Sequence, residues 1–434
     1  MSREEPREAV SEGGEAPERQ GRTWWPTVLR NRSFARLFLA GATSASGFAI
    51  GQVGLIVLVY NTTRSALNVA YIGGSFFLAS IIFSLVAGAL VDRHERRKLM
   101  VLSDLARAGS LAVLIACLVI FGFSLAVVLG VAFVLGSFTT LFQPAERAFT
   151  PEVVGNEQLA NANALVQSSN SVIQFASNGA GGVLVGVLGA VAAFSINMIT
   201  FLISAILIVG IVGFIGPRRL APDGKGPPSM MADLREGFRY IVRKRELLEL
   251  TVSAGLANFF FAMALQFFVV YAEDALHGGT VVYGFLNGLF ILGFAPGAYL
   301  AAHYRTVRYA GWTYILSGVA DGMCILGLVA FPNIATSFSF AFMIGVFLGL
   351  LNTTWLTTVQ LVVPSEIQGR YFGLDQLGSF AVIPVGQILG GVIITASGIG
   401  TDYTIAAIGM MLSTGLFVLS PQLRKLRWSQ PATQ

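Results

Sequence analysis

Charge is what this 434-residue chain has least of: Asp, Glu, Lys and Arg together make up 12% of it, about half the usage of soluble domains. That excludes two or three ordinary soluble domains, which would need polar surfaces throughout. Cysteine is nearly absent. Cys117 and Cys324 both sit in apolar runs with no CxxC or Cys/His spacing, so neither a disulfide framework nor a zinc site is expected, and no metal or cofactor is implied. The three histidines, His94, His277 and His303, fall near the ends of apolar runs, where a solvated or interfacial place is the ordinary one. Clustered His, Cys or a Ser/His/acid set is missing from the apolar segments, which argues against a membrane enzyme. No appended domain supports a sensor.

Apolar sequence is what the chain has in abundance, at 54% of residues and a mean hydropathy of +0.70. Runs long enough to cross about 30 Å of hydrocarbon fall near residues 34–60, 67–91, 99–121, 123–145, 158–187 and 189–215. After a polar linker they resume near 247–272, 278–302, 309–331, 335–360, 369–398 and 401–421. The expected fold is therefore an all-α integral membrane protein with twelve transmembrane helices. Its regions are a disordered tail over 1–33, a six-helix half over 34–215, a linker over 216–246, a second six-helix half over 247–422 and a tail over 423–434.

The first tail alternates Glu4, Glu5, Glu8, Glu12, Glu15 and Glu18 with Arg, Gly and Pro, a disorder-type composition without the apolar core of a cleaved signal peptide. In the linker, Met231, Leu234, Phe238 and Ile241 follow spacings of three and four, the pattern of an amphipathic helix on the inner membrane surface. With both termini in the cytoplasm, Arg64 alone among the 28 Lys and Arg falls in an outer loop, as the positive-inside bias requires. The formal net charge of +5 thus comes from membrane-flanking cations and does not suggest nucleic acid.

One segment stands out. Gly88-Ala-Leu-Val-Asp92-Arg93-His94-Glu95-Arg96-Arg97-Lys98 ends an apolar run with a carboxylate and a burst of cations. Gly88 has a partner at Gly297, and Gly181-Gly182 has one at Gly390-Gly391, each pair 209 residues apart; Gly136 and Gly349, like Pro151 and Pro364, are 213 apart. The two halves read as pseudo-symmetric copies, an architecture in which a substrate site forms at the repeat interface.

With these residues the chain resembles the major facilitator superfamily, in particular its drug-efflux branch with relatives exporting macrolides and siderophores. Gly88-x-Leu-Val-Asp92-Arg93-x-x-Arg96-Arg97-Lys98 is similar to the family's loop 2–3 signature. Gln143-Pro-Ala-Glu-Arg-Ala-Phe-Thr-Pro151-Glu152, followed by Leu159-Ala-Asn-Ala-Asn-Ala-Leu165, is similar to the branch's loop 4–5. Glu95 stands where the family usually has a second glycine, and Ala301-Ala302 replace the acid and arginine in the second copy, so the charged gate is one-sided. Span 5 has Ser177-Asn178 where antiporter relatives often carry a Gly-Pro pair; span 11 comes closer, with Pro384 and Gly386-Gln-Ile-Leu-Gly390-Gly391.

The resemblance implies a secondary transporter in the cell membrane that exports an amphipathic organic compound from the cytoplasm by alternating access and proton antiport. A siderophore exporter or lysophospholipid carrier of the same fold is the alternative, and a non-transporting membrane enzyme or sensor the alternative of another class. The expected partners are a small amphipathic substrate, protons and membrane lipid.

Gating candidates are Gly88, whose missing side chain permits close helix approach, with Asp92, Arg93, Arg96, Arg97, Asp104, Arg107 and Arg147. Asp92 would face the positive N-terminal end of a neighbouring helix, which the resemblance implies is span 11. Asp104 and Arg107, three apart, share a helix face. Proton-coupling candidates are Glu146, Asp375 and Asp321. The last lies thirteen residues beyond Arg308, about 20 Å into the membrane, where a carboxylate is a functional candidate by default. The resemblance places a cavity among spans 1, 4, 7 and 10, helped by 2, 5, 8 and 11. Its candidate linings are Gln52, Gln143, Gln174, Asn178, Asn258, Gln266, Asn287, Asn352, Trp355 and Gln387, an uncharged polar set with aromatic walls from the 33 Phe. Asp92→Asn is expected to reduce transport at normal expression; intact transport in that variant would contradict a gating role for Asp92.

Overall fold

In the computed structural model, residues 28–155, 157–211, 245–303, 310–363, 368, 371, 375 and 378–416 are described. They are almost entirely helical: α1 Arg32–Thr63, α2 Ala66–Arg93, α3 Arg96–Ile120, α4 Leu125–Val154, α5 Leu159–Leu188, α6 Ala190–Val209, α7 Arg245–Leu265, α8 Gly279–His303, α9 Ala310–Ala330, α10 Ile334–Val362, α11 Ile383–Ser397 and α12 Ile399–Gly415. A short turn, Phe268–Val270, and a π-helical turn, Tyr271–Ala275, extend α7. Among the described residues ten helices are long and apolar enough to cross a membrane, and α11 is apolar but shorter. The spans expected at 369–398 and 401–421 are therefore described only as the shorter α11 and α12. The expected tail, the linker with its amphipathic helix and the second tail lie largely outside the described residues.

Local chemistry sets the helix ends. Asn31 caps α1, its side chain accepting from Ser33 N at 3.0 Å and Phe34 N at 3.2 Å, while its amide donates 2.9 Å to the Val153 carbonyl at the end of α4. Ser65 caps α2 and Asn333 caps α10 in the same way, satisfying N–H groups that a helix start leaves unpaired. Gly189 at φ +82° both ends α5 and starts α6, and Gly398 at φ +83° does the same between α11 and α12. They are 209 residues apart. Arg64, between α1 and α2, and His277, before α8, are the described non-glycine residues at positive φ, and they are 213 apart. The spacings read from glycines and prolines thus recur in the backbone conformation of the turns.

Contacts repeat as well. Helix α1 packs on α5 and α6, α2 on α4, and α3 on α4 and α6; correspondingly α7 packs on α11 and α12, α8 on α10, and α9 on α10 and α12. Between α8 and α10 the backbones touch. A Cβ at Gly293 or Gly297 would run into the carbonyls of Phe342 and Val346, and one at Gly345 or Gly349 into those of Phe290 and Phe294. Glycines four apart on both partners allow this approach where lipid supplies no hydrophobic driving force.

Helix α5 also crosses α8, and α11 crosses α2. Gly182 and Gly284 meet at the first crossing, where a Cβ on Gly182 would lie 3.0 Å from the Gly284 Cα; at the second, a Cβ on Gly391 would lie 2.9 Å from the Leu67 Cα. Both glycine sites lie toward the end remote from the Arg93–Lys98 loop, called the far end below. Gly297→Val is expected to cost about 1–3 kcal/mol through overpacking, read as a lower unfolding midpoint in detergent. Gly74→Ala, at a site with nothing within 4 Å of the added Cβ, should leave the midpoint unchanged.

Candidate functional site

Three features carry chemistry: a closure at the far end, a buried charge cluster and a polar cavity. At the far end the Tyr60 hydroxyl of α1 donates to Asp274 in the π-helical turn after α7, and the Asn287 amide of α8 donates 2.9 Å to Asn178 of α5. The second bond reinforces the α5–α8 crossing, and the first adds a link between α1 and the turn after α7. At the loop 93–98 end the bonds named next join helices within one set. Arg96 pairs with Glu152 and donates 3.0 Å to the Ala148 carbonyl, Arg97 donates to the Val209 carbonyl and Arg36 to the Gly210 carbonyl. On the other side Asn258 donates 2.9 Å to the Ser379 carbonyl and Ser253 donates 2.8 Å to the Ser413 carbonyl.

The loop itself forms without its usual glycine. His94 and Glu95 take φ −118° and −63°, which any L-residue adopts, and Glu95 pairs with Lys98 at 2.9 Å. Gly88 corrects an expectation: it is exposed, and a Cβ there would meet nothing within 4 Å. The close approach is at the opposite end of the helices in this conformation. Asp92 ends α2, but its side chain lies outside the description; Arg93 is exposed.

The charge cluster lies in α1–α6. Arg107, 2% exposed, is held between the rings of Phe142 at 4.6 Å and Phe201 at 4.4 Å, an arrangement that favours a desolvated guanidinium. It donates to Asp104 and, at 3.3 Å, to the Ser103 carbonyl, while the Ser44 hydroxyl of α1 reaches Asp104 at 3.5 Å. Glu146 of α4 feels the Arg107 charge and points toward Gly41 of α1. The structure thus buries Asp104 and Arg107 as a pair, with the half-buried Glu146 near enough to feel the Arg107 charge. Arg147 is exposed on another face of α4, as adjacency on a helix requires.

The remaining acids stand apart. Asp375 is buried and accepts from Ser379 at 2.6 Å. Asp321 is fully buried on α9, and neither of its oxygens finds a hydrogen-bond partner among the described residues. Asp402, which the sequence reading missed, shares that condition on α12 beside Gly390. Its position at the start of a span makes it look like a loop residue. Tyr60 and Asp274 were missed for the same reason.

The expected cavity set divides. Gln52, Gln266 and Gln387 line one cavity of about 220 Å³ beside α2. Asn178 and Asn287 bond each other, and Asn178 donates 2.8 Å to the carbonyl of Gln174, whose amide donates 3.2 Å to Asn170, so these residues tie α5 to α8. Asn258 ties α7 to the Ser379 segment. Gln143 and Asn352 are exposed and Trp355 is half-buried.

A family profile described as transmembrane secretion effector, of MFS type, matches residues 22–431. The chain belongs to that family of MFS transporters. The transporter is 25% identical over 402 residues to the multidrug efflux pump Tap of Mycolicibacterium fortuitum, covering 90% of this chain and 96% of the relative. It is 24% identical over 404 residues to macrolide efflux protein A of Streptococcus pyogenes, covering 91% and 96%. Among solved structures its fold is similar to the nucleoside transporter NupG, at TM-score 0.75 and 10% identity over 89% of this chain and 99% of that one. It is also similar to an inward-facing, occupied bacterial homologue of the lysosomal transporter Spinster, at 0.70 and 13% over 95% and 100%. With its apolar helices, the transporter is a multi-pass membrane protein whose partner is a small molecule.

Breaking a buried ion pair by removing one partner costs about 3–5 kcal/mol. Arg107→Leu is therefore expected to lower the unfolding midpoint strongly, and Arg107→Leu with Asp104→Asn to recover part of the loss. A double variant no more stable than Arg107→Leu alone would show that the pair does not hold the cluster.

Proposed function

We propose that the transporter exports an amphipathic organic compound from the cytoplasm by proton antiport, with two six-helix halves, α1–α6 and α7–α12, rocking about the polar cavity. The observation that carries this reading is the placement of the named cross-set contacts toward the far end, above a cavity into which both sets project side chains. The matching packing within the two sets supports twelve spans in two pseudo-symmetric halves, and the cations of loop 93–98 support a cytoplasmic place for that end. The conformation described is then inward-facing. Efflux by the relatives favours export, and the uncharged cavity favours an amphipathic compound.

Asp104, Arg107 and Glu146 form the coupling centre in this reading. Two carboxyls near one guanidinium leave room for one proton, and the cluster borders α1, whose movement against α7 opens the far end. Asp92, Arg93, Arg96 and Arg97 act at the cytoplasmic end when it closes; Asp375, Asp321 and Asp402 lie in the other half and are secondary candidates.

Everted membrane vesicles test this. Uptake of a macrolide or a lipophilic dye should collapse with a protonophore, and Glu146→Gln should lower proton-driven uptake at least tenfold while the variant remains folded. Uptake insensitive to the protonophore, or undiminished in Glu146→Gln and Asp104→Asn alike, would overturn the coupling.

A further inference from the structure

Three glutamines, from α1, from α11 and from the turn after α7, converge in the cavity of about 220 Å³, and Phe76, Phe77 and Ser80 of α2 form the facing wall. Gln387 of α11 donates 3.2 Å to the Gln266 side-chain oxygen, and Gln266, in the turn just after α7, donates 3.2 Å to the Val69 backbone carbonyl of α2. That last bond crosses between the two sets of helices. Val69 lies inside α2, where its carbonyl already serves the helix ladder, so the glutamine takes up the carbonyl's second lone pair. Gly73, one turn along α2, makes the approach possible: a Cβ there would lie 2.9 Å from the Gln387 amide nitrogen.

One atom in this group is left over. The Gln387 side-chain oxygen is buried and accepts no hydrogen bond among the described residues, although a buried acceptor without a partner costs as much as a lost hydrogen bond. The Asn178–Asn287 pair at the other crossing is different. There the Asn178 oxygen accepts from Asn287 and its nitrogen donates to the Gln174 carbonyl, as residues that only glue helices do. Gln387 instead lies in the cavity wall with its oxygen packed against Gly73 of α2, and no charged side chain is in the lining.

We propose that the Gln52–Gln266–Gln387 cluster is the substrate-recognition subsite, that a neutral hydrogen-bond donor such as a hydroxyl or carboxamide draws the Gln387 oxygen from its place against Gly73, and that occupancy is exchanged for the Gln266–Val69 bond. This rests on the exporter reading. Recognition and release of the far-end closure then use the same side chains, and a substrate offering no such donor binds through its apolar surface without engaging the switch. A site built to hydrogen-bond a group discriminates against analogues that lack it more sharply than an apolar wall discriminates by size.

The test uses erythromycin, which carries several hydroxyls, and tetraphenylphosphonium, which has no hydrogen-bonding group. In everted vesicles Gln387→Leu should raise the KM for erythromycin about tenfold, the scale of one lost neutral hydrogen bond, and leave that for tetraphenylphosphonium unchanged. A second readout is independent of transport. With Cys117 and Cys324 replaced by Ala, a cysteine at Ala66, buried at the far end beside Gly391, is labelled with an impermeant maleimide from the far side. Erythromycin should increase labelling in the parent protein and not in Gln387→Leu, and Gln266→Leu should increase it without ligand. Equal KM changes for both probes, or none for either, would overturn the subsite. If the parent protein moves neither probe, the exporter reading falls, and the labelling response alone decides: no response to erythromycin overturns the subsite as well.

Discussion

Backbone meets backbone where α5 crosses α8 and where α11 crosses α2, and the other functional features depend on those two contacts. Hydrocarbon gives helices no reason to associate beyond packing and hydrogen bonds, so the contact surface must be made of residues that let main chains touch. Gly182, Gly284 and Gly391 do this at the crossings between sets, and Gly293, Gly297, Gly345 and Gly349 do it within the α8–α10 pair. The two uses differ in consequence. The α8–α10 seam joins helices of one set, whereas the α5–α8 and α11–α2 crossings join helices of different sets.

Polar groups inside such a structure need a partner within the protein or a function. Arg107 meets the requirement with two aromatic faces, a carboxyl and a carbonyl, so its cluster is a packing element of α1–α6. Asp321, Asp402 and the Gln387 oxygen do not meet it among the described residues. Of these only the Gln387 oxygen belongs to a residue lining the cavity between the two sets.

The apolar helices were legible because hydrophobic length is a direct requirement of the bilayer, and the glycine spacing was legible in part because Gly182, Gly297, Gly349 and Gly391 stand at close helix contacts. The same 209-residue spacing that joins Gly181 to Gly390 joins the turn glycines Gly189 and Gly398, but only their backbone angles reveal that they do the same work. The site was less legible for three physical reasons. Gly88 was read as a contact from its residue type, yet nothing lies within 4 Å of a Cβ placed there. Gln52, Gln266 and Gln387 looked no different from Asn258 or Asn352, since which side chains converge depends on the rotation of α1, α7 and α11 about their axes, and hydropathy does not record it. Tyr60, Asp274 and Asp402 sit near span ends, where a polar residue carries no signal of its own.

The central claim is that two rigid sets exchange closure at one end for closure at the other. Spin labels at Phe121 and Phe331, exposed at the far ends of α3 and α9, and a second pair at Lys98 and Ala302, exposed at the opposite end, report the two openings separately in reconstituted liposomes. On adding a transported substrate and a proton gradient, the first distance should lengthen as the second shortens. Both distances moving in the same sense, or neither moving while transport proceeds, would contradict the account.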